Sequence, residues 1–321
     1  MVRDEGMPNR HALLRLFSGS ANPALSEEIA KYLGISLGKA QITQFADGET
    51  RIELNESVRG KDVFIIQPTS PPVNERTMEL LIIVDALKRA SAGRINVVMP
   101  YYGYARQDRT TTRGSITAKM IANVLTTSGV DHIVCMDLHT PQIQGFFDIP
   151  MDLLTAIPIL AKYFQTAGIT DVVVVSPDLG GVTRARELAE RIGGSLAMLE
   201  RQRLTPDQVL IFNAVGNVAG KNVIMIDDLI DTAGTIEQGA RFLSMAGAKR
   251  IFACCTHPLM TGMAVQRLKA APIHEVIVTN TIPLAPEKMF EKLKVLSVGK
   301  ILAETILAIH EDRSVNSLFE G

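Results

Sequence analysis

The 321-residue sequence predicts an α/β fold built on parallel sheets. Short apolar runs alternate along the chain with segments of helical periodicity, which is typical of parallel strands joined by helices. Two sequence patterns also recur at nearly the same offset, which indicates a duplicated domain. The strand-like runs are "DVFIIQ", "INVVMP", "HIVCMD", "VVVVSP", "NVIMID", "IFACCT" and "EVIVTN".

The internal repeat predicts a domain boundary near the middle of the chain. "EEIAKYLG" at 27–34 resembles "RELAERIG" at 186–193, and "ALKRASAGRINVV" resembles "FLSMAGAKRIFAC", with offsets of 159 and 156 residues. We therefore predict one domain at 10–155 and a second at 156–321. Open α/β sheets bind ligands at the carboxyl ends of their strands, so candidate functional residues are expected there.

Composition limits the classes of function. A net charge of −1 provides no broad basic surface for nucleic acid or for a membrane. Cys135, Cys254 and Cys255 lie in strand-like runs, which predicts buried, reduced thiols. No apolar run is long enough for a signal peptide or a membrane span. We expect a cytoplasmic protein that binds neither nucleic acid nor membranes.

The segment "MPYYGYARQDR" at 99–109 follows a predicted strand. It places Arg106, Gln107 and Asp108 behind three tyrosines. Guanidinium groups bind phosphates and aromatic rings stack on bases, so the segment suits a nucleotide with a polyphosphate. A structural turn or an oligomer contact is the alternative.

Two other strand ends carry candidate metal ligands. His139 follows "HIVCMD", where an imidazole can bind a metal or a phosphate. Asp178 follows "VVVVSP" and precedes Gly180 and Gly181, which allow a ligand to approach the backbone closely. A histidine satisfied by ordinary polar contacts and an aspartate that caps a helix are the alternatives.

The polar segment "LERQRLTPDQ" at 199–208 contains Arg201 and Arg203. Two guanidinium groups in a mobile stretch can close over a phosphate and stabilise charge that develops during a transfer reaction. A solvated charged loop is the commoner explanation of such a stretch.

The stretch "VIMIDDLIDTAGT" at 223–235 combines acids with a small, hydroxyl-rich turn. Its apolar beginning predicts a central strand that ends on the two adjacent acids, and helical spacing follows the turn. Backbone N–H groups and hydroxyls suit a phosphate, whereas carboxylates suit sugar hydroxyls or a metal. A sugar phosphate is the predicted ligand, and an ordinary capped helix is the alternative. The predicted binding residues are Asp227, Asp228, Asp231, Thr232, Ala233, Gly234 and Thr235.

Together these motifs resemble those of the ribose-phosphate pyrophosphokinases, also called phosphoribosyl pyrophosphate synthetases. "VIMIDDLIDTAGT" resembles the phosphoribosyl pyrophosphate binding motif of type I phosphoribosyltransferase-like proteins, and "DLHTPQIQGFFDIPMD" resembles the signature of the family. "FADGET", "ESVRG", "SITAK", "VVSPDLGG" and "VTNTIP" occur in the family's order, so the resemblance covers residues 15–310. It implies two tandem domains of type I phosphoribosyltransferase-like fold, each a mainly parallel sheet flanked by helices.

The resemblance also implies an activity and an assembly. Members of the family transfer the β,γ-pyrophosphoryl group of ATP to the C1 hydroxyl of ribose 5-phosphate, which yields AMP and phosphoribosyl pyrophosphate. Mg²⁺ neutralises the polyphosphate in such a transfer. Family members are commonly homo-oligomers, often hexamers, in which the N-terminal domain supplies ATP and oligomer contacts and the C-terminal domain binds ribose 5-phosphate.

Roles for individual residues follow from the same resemblance. The implied ATP contacts are Phe45, Asp47, Gly48 and Glu49, supplied by a neighbouring subunit, together with Arg106, Gln107 and Asp108. The implied magnesium ligands are His139 and Asp178. The implied ribose 5-phosphate contacts are Arg203, Asp227, Asp228, Asp231, Thr232, Ala233, Gly234 and Thr235, and the implied catalytic residues are Arg201 and Arg203.

The sequence departs from the family pattern at three places. Arg201 stands where the family has lysine, and a planar guanidinium is not equivalent to a compact ammonium. "TTTRGS" contains only Arg113 in a loop that is usually rich in basic residues, and "THPLMTGMA" carries Thr261 and Met263 where serine and proline are usual. Beside a working enzyme, two alternatives follow: a catalytically weakened regulatory homologue that assembles with active subunits, and an ordinary phosphoribosyltransferase.

Overall fold

The computed structural model describes residues 13–205 and 208–315, without the side chains of residues 201–210 and 212. The chain divides into two compact units. The first comprises the residues up to Leu154 and those from Gly299 onward, and the second comprises Thr155–Val298.

The first unit contains β1 (Leu14–Ser18), α1 (Pro23–Leu33), β2 (Ala40–Gln44), β3 (Thr50–Leu54), β4 (Asp62–Ile66), α2 (Val73–Arg89), β5 (Arg94–Met99), α3 (Thr117–Ser128), β6 (His132–Met136), a 3-10 helix (Pro141–Phe146) and β7 (Met151–Leu154). The second contains α4 (Ile157–Thr166), β8 (Val172–Ser176), α5 (Val182–Ile192), β9 (Ser195–Thr205), β10 (Gln208–Val215), β11 (Asn222–Ile230), α6 (Gly234–Met245), β12 (Arg250–Pro258), α7 (Ala264–Ala270), β13 (Glu275–Thr279), a 3-10 helix (Pro286–Lys288) and β14 (Leu293–Leu296). The last helix, α8 (Gly299–His310), belongs to the first unit.

Both units are built on mainly parallel sheets. The first sheet has the order β1, β4, β5, β6, β7, and every neighbouring pair is parallel. β2 and β3 form a separate antiparallel ribbon. The second sheet has the order β10, β9, β8, β11, β12, β13, β14, and its only antiparallel pair is β9 with β10. The predicted α/β fold class is confirmed, and all seven apolar runs are strands.

Helices cover both faces of the second sheet. In β8, Val173 and Val175 join a core with α6 and α7, whereas Val172 and Val174 join a core with α4 and α5. Successive residues of a strand point to opposite faces, so a strand buried on both faces is apolar throughout. This is why such a strand appears in the sequence as an unbroken apolar run.

The two units repeat one order of elements. The sequence β1, α1, β2, β3, β4, α2, β5, α3, β6, β7 corresponds to β8, α5, β9, β10, β11, α6, β12, α7, β13, β14. The repeated octapeptides end α1 and α5, and each ends on a left-handed glycine, Gly34 or Gly193, with φ of 67°. The sequence repeat therefore reflects a structural repeat.

The predicted domain limits are 10–155 and 156–321, whereas α8 lies in the first of the two compact units. α8 packs against α1 in the first unit, as α4 packs against α5 in the second. Its end is held by a hydrogen bond between His310 Nδ1 and Asp62 Oδ2 at 2.6 Å. The partner of an apolar helix face depends on contacts distant in sequence. None of the described helices is long and apolar enough to cross a membrane.

Candidate active site

β11 carries two acids to the carboxyl edge of the second sheet. It pairs with β8 only as far as Met225 but with β12 as far as Ile230. Asp227 and Asp228 therefore lie beyond the last pairing with β8, in the kind of crevice where α/β proteins bind ligands. The sequence predicted that the strand ends on these acids, whereas pairing with β12 extends it by two residues.

The turn after β11 has the small residues that the sequence indicated. Ala233 adopts a left-handed φ of 60°, and α6 begins at Gly234. None of the described side chains caps the amino end of α6, so the structure gives no support to the alternative of an ordinary capped helix. Thr232 and Thr235 are half-buried at this turn. The backbone amides of the turn and of the first helical residues are suitable donors for an anion.

Arg184 is a site residue that the sequence analysis missed. Its Nη1 lies 3.8 Å from Asp227 Oδ1 and 3.7 Å from Asp228 Oδ1, and its side chain is mostly buried. The sequence feature that could have identified Arg184 is its place in the first turn of α5, shortly after the paired glycines. A charged residue on a helix is usually solvated, and only the pairing of β8 with β11 brings this one to the acids.

The charges at this edge perturb one another. Burial raises the pKa of Asp227 well above its usual value, and the negative charges of Asp228 and Asp178 raise it further. Arg184 acts in the opposite direction. A ligand that brings hydroxyl donors or a cation relieves the repulsion between these carboxylates.

Asp178 lies at the end of β8 and faces the same edge. Its Oδ1 accepts a hydrogen bond from the N–H of Gly181 at 3.1 Å, within the turn that precedes α5, and no described side chain caps that helix. Its charge also acts on Asp227. A β-carbon at Gly181 would lie 2.8 Å from Ser176 Oγ. Glycine is therefore required at this close turn.

The segment with Arg201 and Arg203 is not the loop that the sequence predicted. Both residues lie in β9, where Arg203 pairs with Val209 and Arg201 pairs with Ile211. The pairing with β10 makes this polar segment a strand although it lacks an apolar alternation. The side chains of both arginines lie outside the described part of the structure.

The first unit contains a cavity of about 280 Å³ next to the predicted nucleotide-binding segment. Gln107 Oε1 accepts a hydrogen bond from Thr117 at 2.6 Å, and Asp108 Oδ2 accepts one from Thr140 at 2.7 Å. Tyr101 and Tyr102 are both buried, which agrees with the structural-turn alternative for these two tyrosines. The lining residues are Val73, Asn74, Tyr101, Tyr104, Arg106 and Gln107.

The segment with Phe45 forms the tip of the ribbon of β2 and β3. Phe45 is 51% exposed, and the guanidinium of Arg51 lies 5.8 Å from its ring centroid. The tip is closed by a hydrogen bond from the Phe45 N–H to the Glu49 carbonyl at 2.9 Å and by Gly48 with a φ of 92°. Asp47 Oδ1 accepts from the N–H of Glu49 at 3.1 Å. An exposed phenyl ring on a closed tip is available to a ligand or to another subunit.

The predicted metal ligands belong to different units. His139 is exposed after β6 in the first unit, and Asp178 lies in the second. Among the residues that the structure describes, no group of three or more His, Cys, Asp or Glu side chains could hold a metal ion.

Comparison with known proteins adds to this geometry. Residues 14–129 match the family model for the N-terminal domain of ribose phosphate pyrophosphokinase, and residues 198–320 match the model for the phosphoribosyl synthetase-associated domain. A ribose-phosphate pyrophosphokinase of Bacillus subtilis (strain 168) is 54% identical over 95% of this chain and 97% of its own length. The chain belongs to the ribose-phosphate pyrophosphokinase family.

Other members of the ribose-phosphate pyrophosphokinase family match equally broadly. The Corynebacterium ammoniagenes protein is 51% identical over 95% of this chain and 97% of its own length. The crystal structure of phosphoribosylpyrophosphate synthetase from Mycobacterium smegmatis has a TM-score of 0.88 and 43% identity, and covers 93% of this chain and 99% of its own. These matches confirm two tandem phosphoribosyltransferase-like domains, and they confirm that the chain is an enzyme.

Proposed function

We propose that this member of the ribose-phosphate pyrophosphokinase family transfers the pyrophosphoryl group of ATP to the C1 hydroxyl of ribose 5-phosphate. The products would be phosphoribosyl pyrophosphate and AMP. The observation that carries the proposal is the edge of β11, where two acids adjoin a turn whose helix has no side-chain cap. A sugar phosphate needs both kinds of partner at once.

Each part of ribose 5-phosphate has a partner at this edge. Asp227 and Asp228 accept hydrogen bonds from the ribose hydroxyls, because ionised carboxylates are strong acceptors. The turn of residues 231–235 binds the 5-phosphate through its amides and hydroxyls. Arg203 supplies a further cation for the phosphate.

The first unit supplies the ATP contacts. Arg106 binds the triphosphate, Gln107 lines the cavity of about 280 Å³ with it, and Asp108 follows in the chain as a further ATP contact. Phe45, with Asp47, Gly48 and Glu49, provides a stacking surface for adenine. The 51% exposure of Phe45 supports a contact made to the site of another subunit in a homo-oligomer, which we propose is a hexamer.

Mg²⁺ is the cofactor that this chemistry requires. It binds oxygen atoms, and in nucleotide sites it takes one or two carboxylates and completes its shell with phosphate oxygens and water. The carboxylate of Asp178, beside the acids of β11, fits this donor pattern without a cluster of three protein ligands. We propose Asp178 as a carboxylate ligand of magnesium and, by family resemblance, His139 as a further metal-binding residue. When bound, Mg²⁺ neutralises the triphosphate and orients it for attack.

Arg201 and Arg203 are the proposed catalytic residues. Guanidinium groups that contact the transferred group stabilise the charge spread over its oxygens in the transition state. Arg201 replaces the lysine usual in the family, and this substitution is the one observation that favours a second candidate: a catalytically weakened regulatory homologue that assembles with active subunits.

The deciding experiment is a direct assay. The purified protein is mixed with ATP, ribose 5-phosphate and Mg²⁺, with and without inorganic phosphate, and followed by phosphorus NMR. We expect AMP and phosphoribosyl pyrophosphate to appear in equal amounts. If neither forms while ATP still binds, the proposed reaction is wrong and the regulatory homologue is favoured.

A further inference from the structure

The turn after β11 is held from outside by the segment of residues 259–267, which follows β12. The N–H of Met260 donates to the carbonyl of Ile230 at 2.9 Å, and the N–H of Thr261 donates to the carbonyl of Asp231 at 3.0 Å. Met260 has a left-handed φ of 46°. This conformation lets the segment follow β11 past the end of β12, so that backbone pairing continues into the turn.

Two side chains of the segment complete the contact. Thr261 Oγ1 donates to Asp231 Oδ1 at 2.5 Å, and Arg267 Nη1 donates to the carbonyl of Thr232 at 2.9 Å. Arg267 Nε also lies 3.7 Å from Oε2 of Glu237 in the first turn of α6. The segment therefore contacts both the turn and the start of the helix that the turn leads into.

These contacts determine which way the amides of the turn point. The carbonyls of residues 230–232 are directed at the segment 259–267. The peptide bonds of this turn are trans, and in a trans peptide the N–H of the following residue points opposite to the carbonyl. The N–H groups of Asp231, Thr232 and Ala233 are thus turned away from the segment.

We propose that Thr261 and Arg267 are positioning residues for the sugar phosphate site. They keep the carbonyls of the turn on one side, so that its N–H groups remain aimed at the 5-phosphate. The inference rests on the proposed function, since it assigns that phosphate to the turn. Both residues act through the turn. Their loss should therefore weaken binding of ribose 5-phosphate and leave binding of ATP unchanged.

The test uses two variants and two matched controls in the full-length protein. Thr261→Val removes the hydroxyl at nearly constant shape, and Arg267→Met keeps the apolar stem without the donors. Thr261→Ser keeps the hydroxyl. Arg241→Met removes an ion pair of 3.0 Å to the same Glu237 without a contact to the turn.

Affinity for ribose 5-phosphate is measured by calorimetry, and KM for each substrate by steady-state kinetics. We expect Thr261→Val and Arg267→Met to raise KM for ribose 5-phosphate by roughly tenfold or more, since each loses a hydrogen bond with a charged partner. KM for ATP should stay near the wild-type value in all four variants. KM for ribose 5-phosphate should stay near the wild-type value in the two control variants.

Three results would overturn the inference. Unchanged affinity for ribose 5-phosphate in both variants removes the two residues from the site. Equal losses for ATP and ribose 5-phosphate indicate a general structural defect. If Arg267→Met does not fold, the affinities of Thr261→Val for ribose 5-phosphate and ATP decide between these outcomes. Wild-type protein that binds no ribose 5-phosphate would instead overturn the proposed function, and the inference with it.

Discussion

Asp227 and Asp228 of β11 lie beside the guanidinium group of Arg184. Asp227 and Asp228 both lie within 4 Å of Arg184, and their side chains are 27% and 6% exposed. Asp178 adds a third carboxylate at this edge, and the negative charges of Asp228 and Asp178 raise the pKa of Asp227. Hydroxyl donors or a cation would stabilise this arrangement, which accounts for acids next to a turn suited to phosphate.

Replacement of Asp227 by asparagine tests the sugar contact. Asp227→Asn keeps the shape but loses a charged acceptor, so we expect affinity for ribose 5-phosphate to fall roughly tenfold. Calorimetry with ribose 5-phosphate and with ATP measures the effect, and ATP affinity should not change. Asp171→Asn is the control, because that carboxylate is 59% exposed just before β8. Unaltered sugar phosphate affinity in Asp227→Asn would refute the assignment.

Substitution of Arg201 tests its proposed role in the catalytic step. Arg201→Ala should lower kcat by about a hundredfold while ATP affinity falls much less, as expected for a contact made mainly in the transition state. Arg201→Lys, which restores the residue usual in the family, should retain most of the turnover. Quenched-flow or steady-state rates measure both variants. Equal turnover in Arg201→Ala and the parent would remove Arg201 from the mechanism.

Elements add constraints that single residues do not reveal. β11 continues beyond its last pairing with β8 and remains paired with β12. This difference in strand length forms the edge where the acids lie. The polar segment around Arg201 is a strand because β10 pairs with it. In each case the neighbouring strand, and not the local sequence, determines where the element ends.

α8 shows how one buried carboxylate anchors an element. Asp62 at the start of β4 accepts from Arg94 at 2.7 and 2.6 Å and from Asn96 at 2.8 Å, and it pairs with His310 at the end of α8. Burial raises the pKa of Asp62, but the hydrogen bonds from Arg94 and His310 outweigh it, so that the pKa lies below its usual 3.8.

Asp62→Asn should therefore destabilise the protein in a pH-dependent way. A carboxyl whose pKa is lower in the folded state contributes its full stabilisation above about 3.8, and loses it as the pH falls through the folded value. We expect a loss of about 1.5–3 kcal/mol at pH 7, visible as a lower Tm. The difference in Tm from wild type should persist at pH 5 and shrink below that range.

The difference in Tm is measured by thermal unfolding of wild type and Asp62→Asn at several pH values. Asp85→Asn provides the control, since its ion pair with Arg89 is exposed and contributes little. A difference in Tm that grows as the pH falls would contradict the role of Asp62. Equal effects of the two substitutions would also contradict it.

At the scale of the whole molecule, the two units repeat the same order of elements but differ in the chemistry of their strand ends. The strand ends of the first unit that correspond to β8 and β11 are joined by the buried Glu79. Its carboxylate accepts from the N–H of Ser20 at 2.6 Å, from Gln67 at 2.9 Å and from Arg76 at 3.1 Å. An internal carboxylate thus occupies this edge, whereas the equivalent edge of the second unit carries the acids and the turn.

A mixing experiment tests whether Phe45 serves a neighbouring subunit. Phe45→Ala subunits lack the adenine contact, and Asp227→Asn subunits lack the sugar contact. If each site combines the sugar site of one chain with Phe45 of another, coexpression restores about a quarter of the sites. Each variant alone should have low activity. Coexpressed protein no more active than the variants would show that the segment acts within its own chain.

The sequence by itself determined the fold class, seven of the strands, the repeat and the acidic turn at 223–235. These features depend on local periodicity and on motifs contiguous in the chain. Family resemblance supplied roles for isolated residues such as Phe45, which no local pattern distinguishes from a surface residue.

Only the tertiary structure decided which distant residues meet. It brought Arg184 to Asp227, Thr261 to Asp231 and α8 to α1. It also decided that β11 extends beyond its acids, because strand length depends on the neighbouring strand. Such contacts join positions far apart in the chain, and their energies depend on packing that local periodicity does not encode.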